Sequence, residues 1–155
     1  MPATIQNTMQ INDQVTVGPQ PSEEEIEQLA GEQFRTVVNF RTDDEEEQPL
    51  SPKDEGKKVQ AAGMQYLNIP VSEESMSADV VDRFRQQFEQ LEKPVYAHCK
   101  TGKRAGTMMM MHIASEQGMT GDETLKKAEE MGFECDKPEL IEFVKTYVDE
   151  HSGKK

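Results

Sequence analysis

The sequence predicts an α/β fold: a mainly parallel central sheet flanked by helices. Short runs rich in valine, isoleucine and aromatic residues alternate along the chain with longer segments in which apolar residues have helical spacing. Strands that alternate with helices favour parallel pairing through right-handed crossovers. The 155 residues are enough for one domain with a hydrophobic core, and no repeat or linker divides them. We therefore expect a single domain over residues 1–155, with flexible ends at 1–10 and 152–155.

The first predicted strand covers Gln14–Gly18, in which valines alternate with polar residues. A Pro-Gln-Pro run then ends the strand. Ser22 followed by Glu25 has the sequence of a capping box, and this pair predicts a helix that stops near Gly31.

The second predicted strand is Arg35–Phe40, which is buried to judge from its β-branched content. Ligands of α/β folds lie beyond the carboxyl ends of the strands. The polar residues that follow this strand, Arg41 and Asp43 above all, are therefore expected to face the ligand crevice. The alternative is that the acidic segment Thr42–Pro49 is only a solvated loop.

The middle of the chain adds two helices and a third strand. One helix begins at Ser51 or Asp54 and ends near Gly63, and its polar composition indicates a mainly surface position. The strand Met64–Val71 follows. An amphipathic helix then covers Ser75–Leu91, where the apolar stripe is expected to face the core.

The last third contains the predicted central strand, Val95–His98. A loop with a glycine follows, and then a helix that is apolar nearly all round because of its methionine run, Met108–Met111. Such a helix is expected to be buried. Two further helices are predicted at Thr120–Met131 and Pro138–Val148.

The loop after the central strand has the composition of a thiolate site around Cys99. Lys100, Lys103 and Arg104 supply positive charge, and Gly102 permits a backbone conformation that other residues rarely adopt. Backbone N–H groups at the start of the next helix can converge on an anion. No acidic residue occurs from position 93 to 115, although the chain has 30 acidic and 17 basic residues. We interpret the loop as one that stabilises a thiolate and keeps acid away; the alternative is an ordinary buried cysteine.

His98 directly precedes this cysteine. A lone histidine is usually a satisfied polar residue, but its position next to Cys99 makes it a candidate catalytic residue. It is expected to orient the loop and to polarise the thiolate through a hydrogen bond.

The pattern His98-Cys99-x-x-Gly102-x-Arg104 resembles the signature loop of cysteine-dependent phosphatases. It is most similar to that of the DUF442 family, also called beta-lactamase-hydrolase-like proteins. Weaker landmarks extend the resemblance over most of the chain; they are Gly18–Ser22, Val38–Arg41 and Asn68–Val71. We call residues 98–104 the signature loop.

This resemblance implies a protein-tyrosine-phosphatase-like fold of the dual-specificity type. It also implies a phosphoester hydrolase in which Cys99 forms a thiophosphoryl intermediate. The expected anion-binding residues are those of the loop: Lys100, Thr101, Gly102, Lys103 and Arg104. The general acid implied by position is Glu73, just beyond the third strand, with Glu74 and Asp43 as the next candidates.

Two departures from the phosphatase pattern leave alternatives open. Four residues separate Cys99 from Arg104, one fewer than in most cysteine phosphatases, and Ala105 and Gly106 stand where a hydroxyl residue usually follows the arginine. The short loop resembles that of rhodanese-type sulfurtransferases, in which Cys99 would carry a persulfide. The missing hydroxyl favours a third possibility, an anion-binding module without turnover.

Composition excludes several other classes of function. A net charge of −13 argues against binding to nucleic acid or to an anionic membrane, and no apolar run is long enough to cross a bilayer. We expect a small anionic or phosphorylated substrate, with no cofactor or metal, and leave the oligomeric state open.

The number of cysteines and the sequence of residues 1–10 give an expectation about the cellular compartment. Cys99 and Cys135 are too few for a disulfide scaffold, and we expect Cys135 to be an ordinary thiol. Residues 1–10 lack the apolar core of a signal peptide, which favours the cytoplasm unless a leader precedes this sequence.

Overall fold

The computed structural model describes residues 8–42, 50–72, 76–100, 102–131 and 138–152. Within these ranges it has five strands and six helices. The strands are β1 (Met9–Asn12), β2 (Val15–Gly18), β3 (Thr36–Asn39), β4 (Gln65–Asn68) and β5 (Val95–His98). The helices are α1 (Glu23–Gly31), α2 (Pro52–Ala61), α3 (Ala78–Phe88), α4 (Lys103–Gln117), α5 (Gly121–Glu130) and α6 (Pro138–His151).

The strands form one sheet in the order β1-β2-β5-β3-β4, so that β5 lies at the centre. β5 pairs in parallel with both β2 and β3, and β4 pairs in parallel with β3. The predicted mainly parallel sheet with Val95–His98 in the middle is therefore confirmed. The sequence analysis missed β1, an antiparallel edge strand of four mostly exposed residues, because it buries too little to leave an alternating pattern.

Successive residues of the central strand enter different hydrophobic cores. Val95 and Ala97 pack in a large core that includes the buried faces of α3, α4 and α6. Tyr96 packs in a smaller core with Ile26 of α1 and Val59 of α2. Both faces of the sheet are therefore covered, as a parallel sheet requires. All four methionines of the predicted run in α4 are buried, as expected.

Helix α2 is mainly exposed, as predicted, but it also has a buried face that the sequence analysis did not anticipate. Glu55, Gly56 and Val59 are buried, and they form the inner face of α2. A Cβ atom built on Gly56 would lie 2.8 Å from Cδ2 of Tyr66, so the glycine lets the helix backbone approach β4 closely. The sequence analysis missed this buried face because the close contact depends on the absence of a side chain at Gly56 as well as on the apolar Val59.

Two predicted helix starts have the expected caps. Ser22 Oγ accepts the N–H of Glu25 at 3.2 Å, and Glu25 Oε1 accepts the N–H of Ser22 at 2.8 Å. Thr120 and Glu123 make the same reciprocal pair at the start of α5. Helix α3 begins at Ala78 with Ser77 as its N-cap, slightly later than predicted. In the part of the chain that the structure describes, no helix has the length and apolar character needed to cross a bilayer.

Candidate active site

Cys99 lies immediately after β5, at the carboxyl edge of the sheet, and its side chain is 1% exposed. Its Sγ accepts the backbone N–H of Gly102 at 3.1 Å and that of Ala105 at 3.5 Å. Two backbone donors thus converge on one sulfur atom. This arrangement favours a thiolate, because N–H groups that point at an anion supply fixed partial positive charge.

Gly102 makes this geometry possible. It is the N-cap of α4 and has φ 103°, a conformation that strains any residue with a Cβ atom. A Cβ at this position would also lie 3.3 Å from Cα of Gly18. No side chain caps α4 at Gly102, and the first turn of the helix has no acidic residue. The positive end of the helix is therefore directed at Cys99 rather than neutralised.

Arg104 is anchored at the same edge of the sheet. Its Nη1 donates to the carbonyl oxygen of Val71 at 2.9 Å and to that of Phe40 at 3.4 Å. These two carbonyls follow β4 and β3 respectively. The guanidinium group is therefore held just beyond the ends of β3 and β4, and β3 pairs with the strand that precedes Cys99. This is where a ligand crevice is expected.

His98 is fully buried, and both of its ring nitrogens face oxygen atoms rather than sulfur. Nδ1 lies 3.3 Å from the carbonyl oxygen of Cys99, and Nε2 lies 2.5 Å from Oε2 of Glu55. The predicted hydrogen bond from this histidine to the thiolate is therefore wrong, because the sulfur takes its donors from the backbone. The expected orienting contact with the loop is present, through the Cys99 carbonyl.

Glu55 is a residue that the sequence analysis missed. It has no exposed surface, and besides His98 it contacts Gln20, whose Nε2 donates to Glu55 Oε1 at 2.6 Å. The expectation that the loop excludes acid is thus corrected, since a carboxylate 43 residues away in sequence reaches the histidine next to Cys99. The neighbouring Gly56 is the sequence signal of a close approach by this helix.

Arg41 joins the same buried group. Its side chain is fully buried, and its Nη1 donates to Gln20 Oε1 at 3.1 Å. Asn39 supports this position, because its Oδ1 accepts the backbone N–H of Arg41 at 2.8 Å. Arg41 is therefore connected with Glu55 through a single glutamine rather than exposed in an open crevice.

The remaining predicted site residues fall into two groups. Lys100 and Lys103 are exposed beside Cys99. The others lie outside the described residues and stay predictions: Thr101, Asp43, Glu73, Glu74 and Cys135. Across the described ranges, no cluster of three His, Cys, Asp or Glu side chains is arranged to hold a metal ion.

The sequence matches a known family, described as "Beta-lactamase hydrolase-like protein, phosphatase-like domain", over residues 8–116. A beta-lactamase hydrolase-like protein from Agrobacterium fabrum is 34% identical over 103 residues. The match covers 66% of this chain but 24% of that relative, so this chain spans a minor part of the longer protein.

Solved structures show the same fold. A DUF442 protein from Shewanella putrefaciens CN-32 has a TM-score of 0.81 at 22% identity, covering 96% of this chain and 95% of that one. The core catalytic domain of the PP-IP phosphatase SIW14 from S. cerevisiae has a TM-score of 0.69 at 15% identity, covering 92% of this chain and 85% of that one. These likenesses confirm the predicted α/β fold of the protein-tyrosine-phosphatase type.

Proposed function

This chain belongs to the phosphatase-like domain family of beta-lactamase hydrolase-like proteins, and on that premise we propose that it hydrolyses a phosphoester with Cys99 as nucleophile. Family and fold both support an activity of the phosphatase type. The observation that carries the more specific proposal is the convergence of two backbone N–H groups on the buried Sγ of Cys99 at the start of α4.

In the first step the Cys99 thiolate attacks phosphorus. A P–S bond forms while the P–O bond to the leaving group breaks, and the displaced oxygen takes a proton from a general acid. Arg104 and the loop N–H groups bind the non-bridging oxygens, where negative charge is concentrated. We assign the acid to Glu73, with Glu74 and Asp43 as the next candidates on the grounds of their positions in the sequence.

In the second step water attacks the thiophosphoryl group. The acid, now a carboxylate, accepts a proton from that water; the P–S bond breaks, inorganic phosphate leaves, and the thiolate is restored. Most relatives in the superfamily have a hydroxyl side chain after the arginine to assist this departure. Here Ala105 contributes a backbone N–H to Sγ at 3.5 Å, which is a second stabilising contact for the departing sulfur.

Hydrolysis of p-nitrophenyl phosphate by wild type and Cys99→Ser tests the proposal. We expect the serine variant to lose at least about 1,000-fold in kcat/KM, because the nucleophile is removed while the loop keeps its shape. Arg83→Ala, which removes an exposed arginine of α3, is the matched control and should retain full activity. Activity that survives Cys99→Ser would exclude this cysteine as the nucleophile.

A sulfurtransferase is the second candidate, because the short spacing between Cys99 and Arg104 suits a smaller group than phosphate. The same N–H groups would stabilise the outer sulfur of a persulfide. Treatment with thiosulfate followed by mass spectrometry separates the two functions, because a sulfurtransferase would take the outer sulfur onto the Cys99 thiolate and release sulfite. A gain of one sulfur on Cys99, and its transfer to cyanide, would favour sulfur transfer over phosphoester hydrolysis; an unmodified thiol would count against it.

A further inference from the structure

A chain of hydrogen-bonded polar side chains lies behind the signature loop and runs from Arg41 through the half-buried Gln20 to Glu55 and His98. Arg41, Glu55 and His98 are each fully buried. Burial of charged groups is unfavourable unless they are paired and hydrogen-bonded. Buried polar side chains of this kind must therefore be hydrogen-bonded to one another in a specific geometry. The last hydrogen bond of this series joins His98 to the carbonyl oxygen of Cys99, the residue that carries the proposed nucleophile.

Two consecutive carbonyl groups of the loop accept hydrogen bonds from residues outside the anion-binding side. The Cys99 carbonyl accepts from His98 Nδ1 at 3.3 Å, and the Lys100 carbonyl accepts the backbone N–H of Gln20 at 3.4 Å. When N–H groups of a loop converge on an anion, the intervening carbonyls must point away from it and need donors of their own. His98 and Gln20 supply those donors.

The hydrogen bonds also restrict the protonation of the pair that Glu55 and His98 form. A carbonyl oxygen only accepts, so Nδ1 of His98 carries a proton. The remaining proton lies between Nε2 and Glu55 Oε2, and the pair is either imidazolium with carboxylate or neutral imidazole with carboxylic acid. The pair has zero net charge in both forms. In the ionised form, its positive end is the ring next to Cys99.

We propose that Glu55 and Gln20 are positioning residues for Cys99, which act through His98 to orient the signature loop and to stabilise the thiolate. This inference rests on the role of Cys99 in the proposed function but not on which group is transferred. Glu55 fixes the ring of His98, and Gln20 fixes Glu55 through its amide N–H at 2.6 Å.

Glu55→Gln separates positioning from simple loss of structure. A glutamine can donate to His98 Nε2 and accept from Gln20 Nε2, so both hydrogen bonds of this side chain are kept and the fold should survive. The net charge of the pair is zero before and after the change. Glu55→Gln removes the carboxylate that supports the ionised form of the pair, and with it the imidazolium that this form places next to Cys99.

The other charged or titratable groups of the loop and of its surroundings are unchanged in this variant. They are Arg104 and Lys103 on α4, Lys100 in the loop, Arg41 behind Gln20, and Tyr96, whose ring stacks on that of His98 with centroids 6.1 Å apart. The phenol of Tyr96 donates to the Pro19 carbonyl at 2.7 Å, and burial raises its pKa, so it stays neutral through the pH range of the test.

The experiment measures the rate of alkylation of Cys99 by iodoacetamide from pH 4 to pH 9, with site-resolved mass spectrometry and Cys135 as internal reference. The reagent is neutral and reports the thiolate without any enzymatic turnover. We expect Glu55→Gln to raise the midpoint of the profile by about one pH unit. Gln20→Ala should move it in the same direction by less, because Gln20 is only half-buried and water can replace its amide.

The matched control is Glu27→Gln, the same chemical change at an exposed position of α1, and it should leave the profile unchanged. A folded Glu55→Gln protein with the wild-type midpoint would overturn the inference. If that variant does not fold, an unchanged midpoint in Gln20→Ala would do so. If the midpoint shifts but wild type hydrolyses no phosphoester, the proposed function fails and the positioning role stands.

Discussion

The backbones of Gly102 and Gly18 are in close contact, and a Cβ atom on Gly102 would lie 3.3 Å from the Cα atom of Gly18. One residue is the N-cap of α4 and the other ends β2, the strand that pairs with β5. The contact fixes the signature loop against the sheet. A side chain at Gly102 would fit only if the Gly18 backbone shifted by a few tenths of an ångström, at the point where the backbone N–H faces the sulfur of Cys99.

Gly102→Ala is therefore expected to lose both stability and activity. The positive φ costs on the order of 1–2 kcal/mol, and the added methyl group must displace the Gly18 backbone. Gly118→Ala is the matched control, because Gly118 also has positive φ, 74°, but nothing lies within 4 Å of its Cβ position. Urea unfolding and phosphatase assays should show a loss of stability in both variants and a loss of activity in Gly102→Ala alone. Full activity of Gly102→Ala would contradict this account of the loop.

Arg104→Lys should weaken phosphate binding and catalysis together. Lysine keeps the charge but has no planar fork, so it cannot contact the two strand-end carbonyls and an anion at the same time. We expect kcat/KM to fall by roughly 100-fold and the inhibition constant of inorganic phosphate to rise about tenfold. Arg83→Lys on the surface of α3 is the control. Equal phosphate affinity in Arg104→Lys and wild type would remove Arg104 from the anion site.

Lys100→Ala removes an exposed positive charge of the signature loop. It should lower the association rate of an anionic substrate at low ionic strength, and the difference from wild type should disappear as salt increases. Measurement of kcat/KM at several salt concentrations checks this. A deficit that persists at high salt would indicate that Lys100 touches the substrate directly.

His112 provides a pH dependence of stability that is separate from the active site. It lies on α4 and is 7% exposed; its Nδ1 accepts from Arg85 Nε at 3.3 Å. Burial, followed by the charge of Arg85, lowers its pKa from 6.5 to about 4. The unfolded chain therefore binds a proton at higher pH than the folded one, and stability should fall as pH decreases from 6.5 to 4, by up to about 3 kcal/mol from this group.

Urea unfolding at several pH values isolates this contribution by comparison with His112→Gln. The glutamine can still accept from Arg85 but does not titrate, so the stability of the variant should change less between pH 6.5 and pH 4. Identical slopes in wild type and His112→Gln would show that His112 does not carry the effect.

Gly56→Ala should destabilise the protein even though alanine is the better helix former. The added Cβ would lie 2.8 Å from the ring of Tyr66, which is held by a hydrogen bond from Asn39 Nδ2 at 3.0 Å. We expect a loss of about 1–2 kcal/mol, together with lower activity as α2 moves Glu55 away from His98. Gly31→Ala, with nothing within 4 Å, is the control and should be neutral or slightly stabilising. Unchanged stability in Gly56→Ala would mean that the Tyr66 ring can move aside without a measurable loss in the free energy of unfolding.

The sequence predicted features that depend on residues close together in the chain, and it did not predict contacts between residues far apart. The capping box at Ser22 and the glycine of the signature loop each involve residues only a few positions apart in the sequence, and both were predicted. The pairing of Glu55 with His98 joins residues 43 positions apart and follows from the sheet order, which no local pattern contains. Strand β1 was missed for a different reason, because an exposed edge strand needs no regular apolar pattern.

The central position of β5 has a consequence for the motions of the site. The backbone of this strand is hydrogen-bonded on both sides, to β2 and to β3, and both of its faces are covered. Segments of this kind open only when the whole protein unfolds, so the amide protons of residues 95–98 should be among the slowest to exchange with deuterium. The sulfur atom is thus attached to one of the most rigid segments of the molecule, so the position of Sγ should change little when a substrate binds.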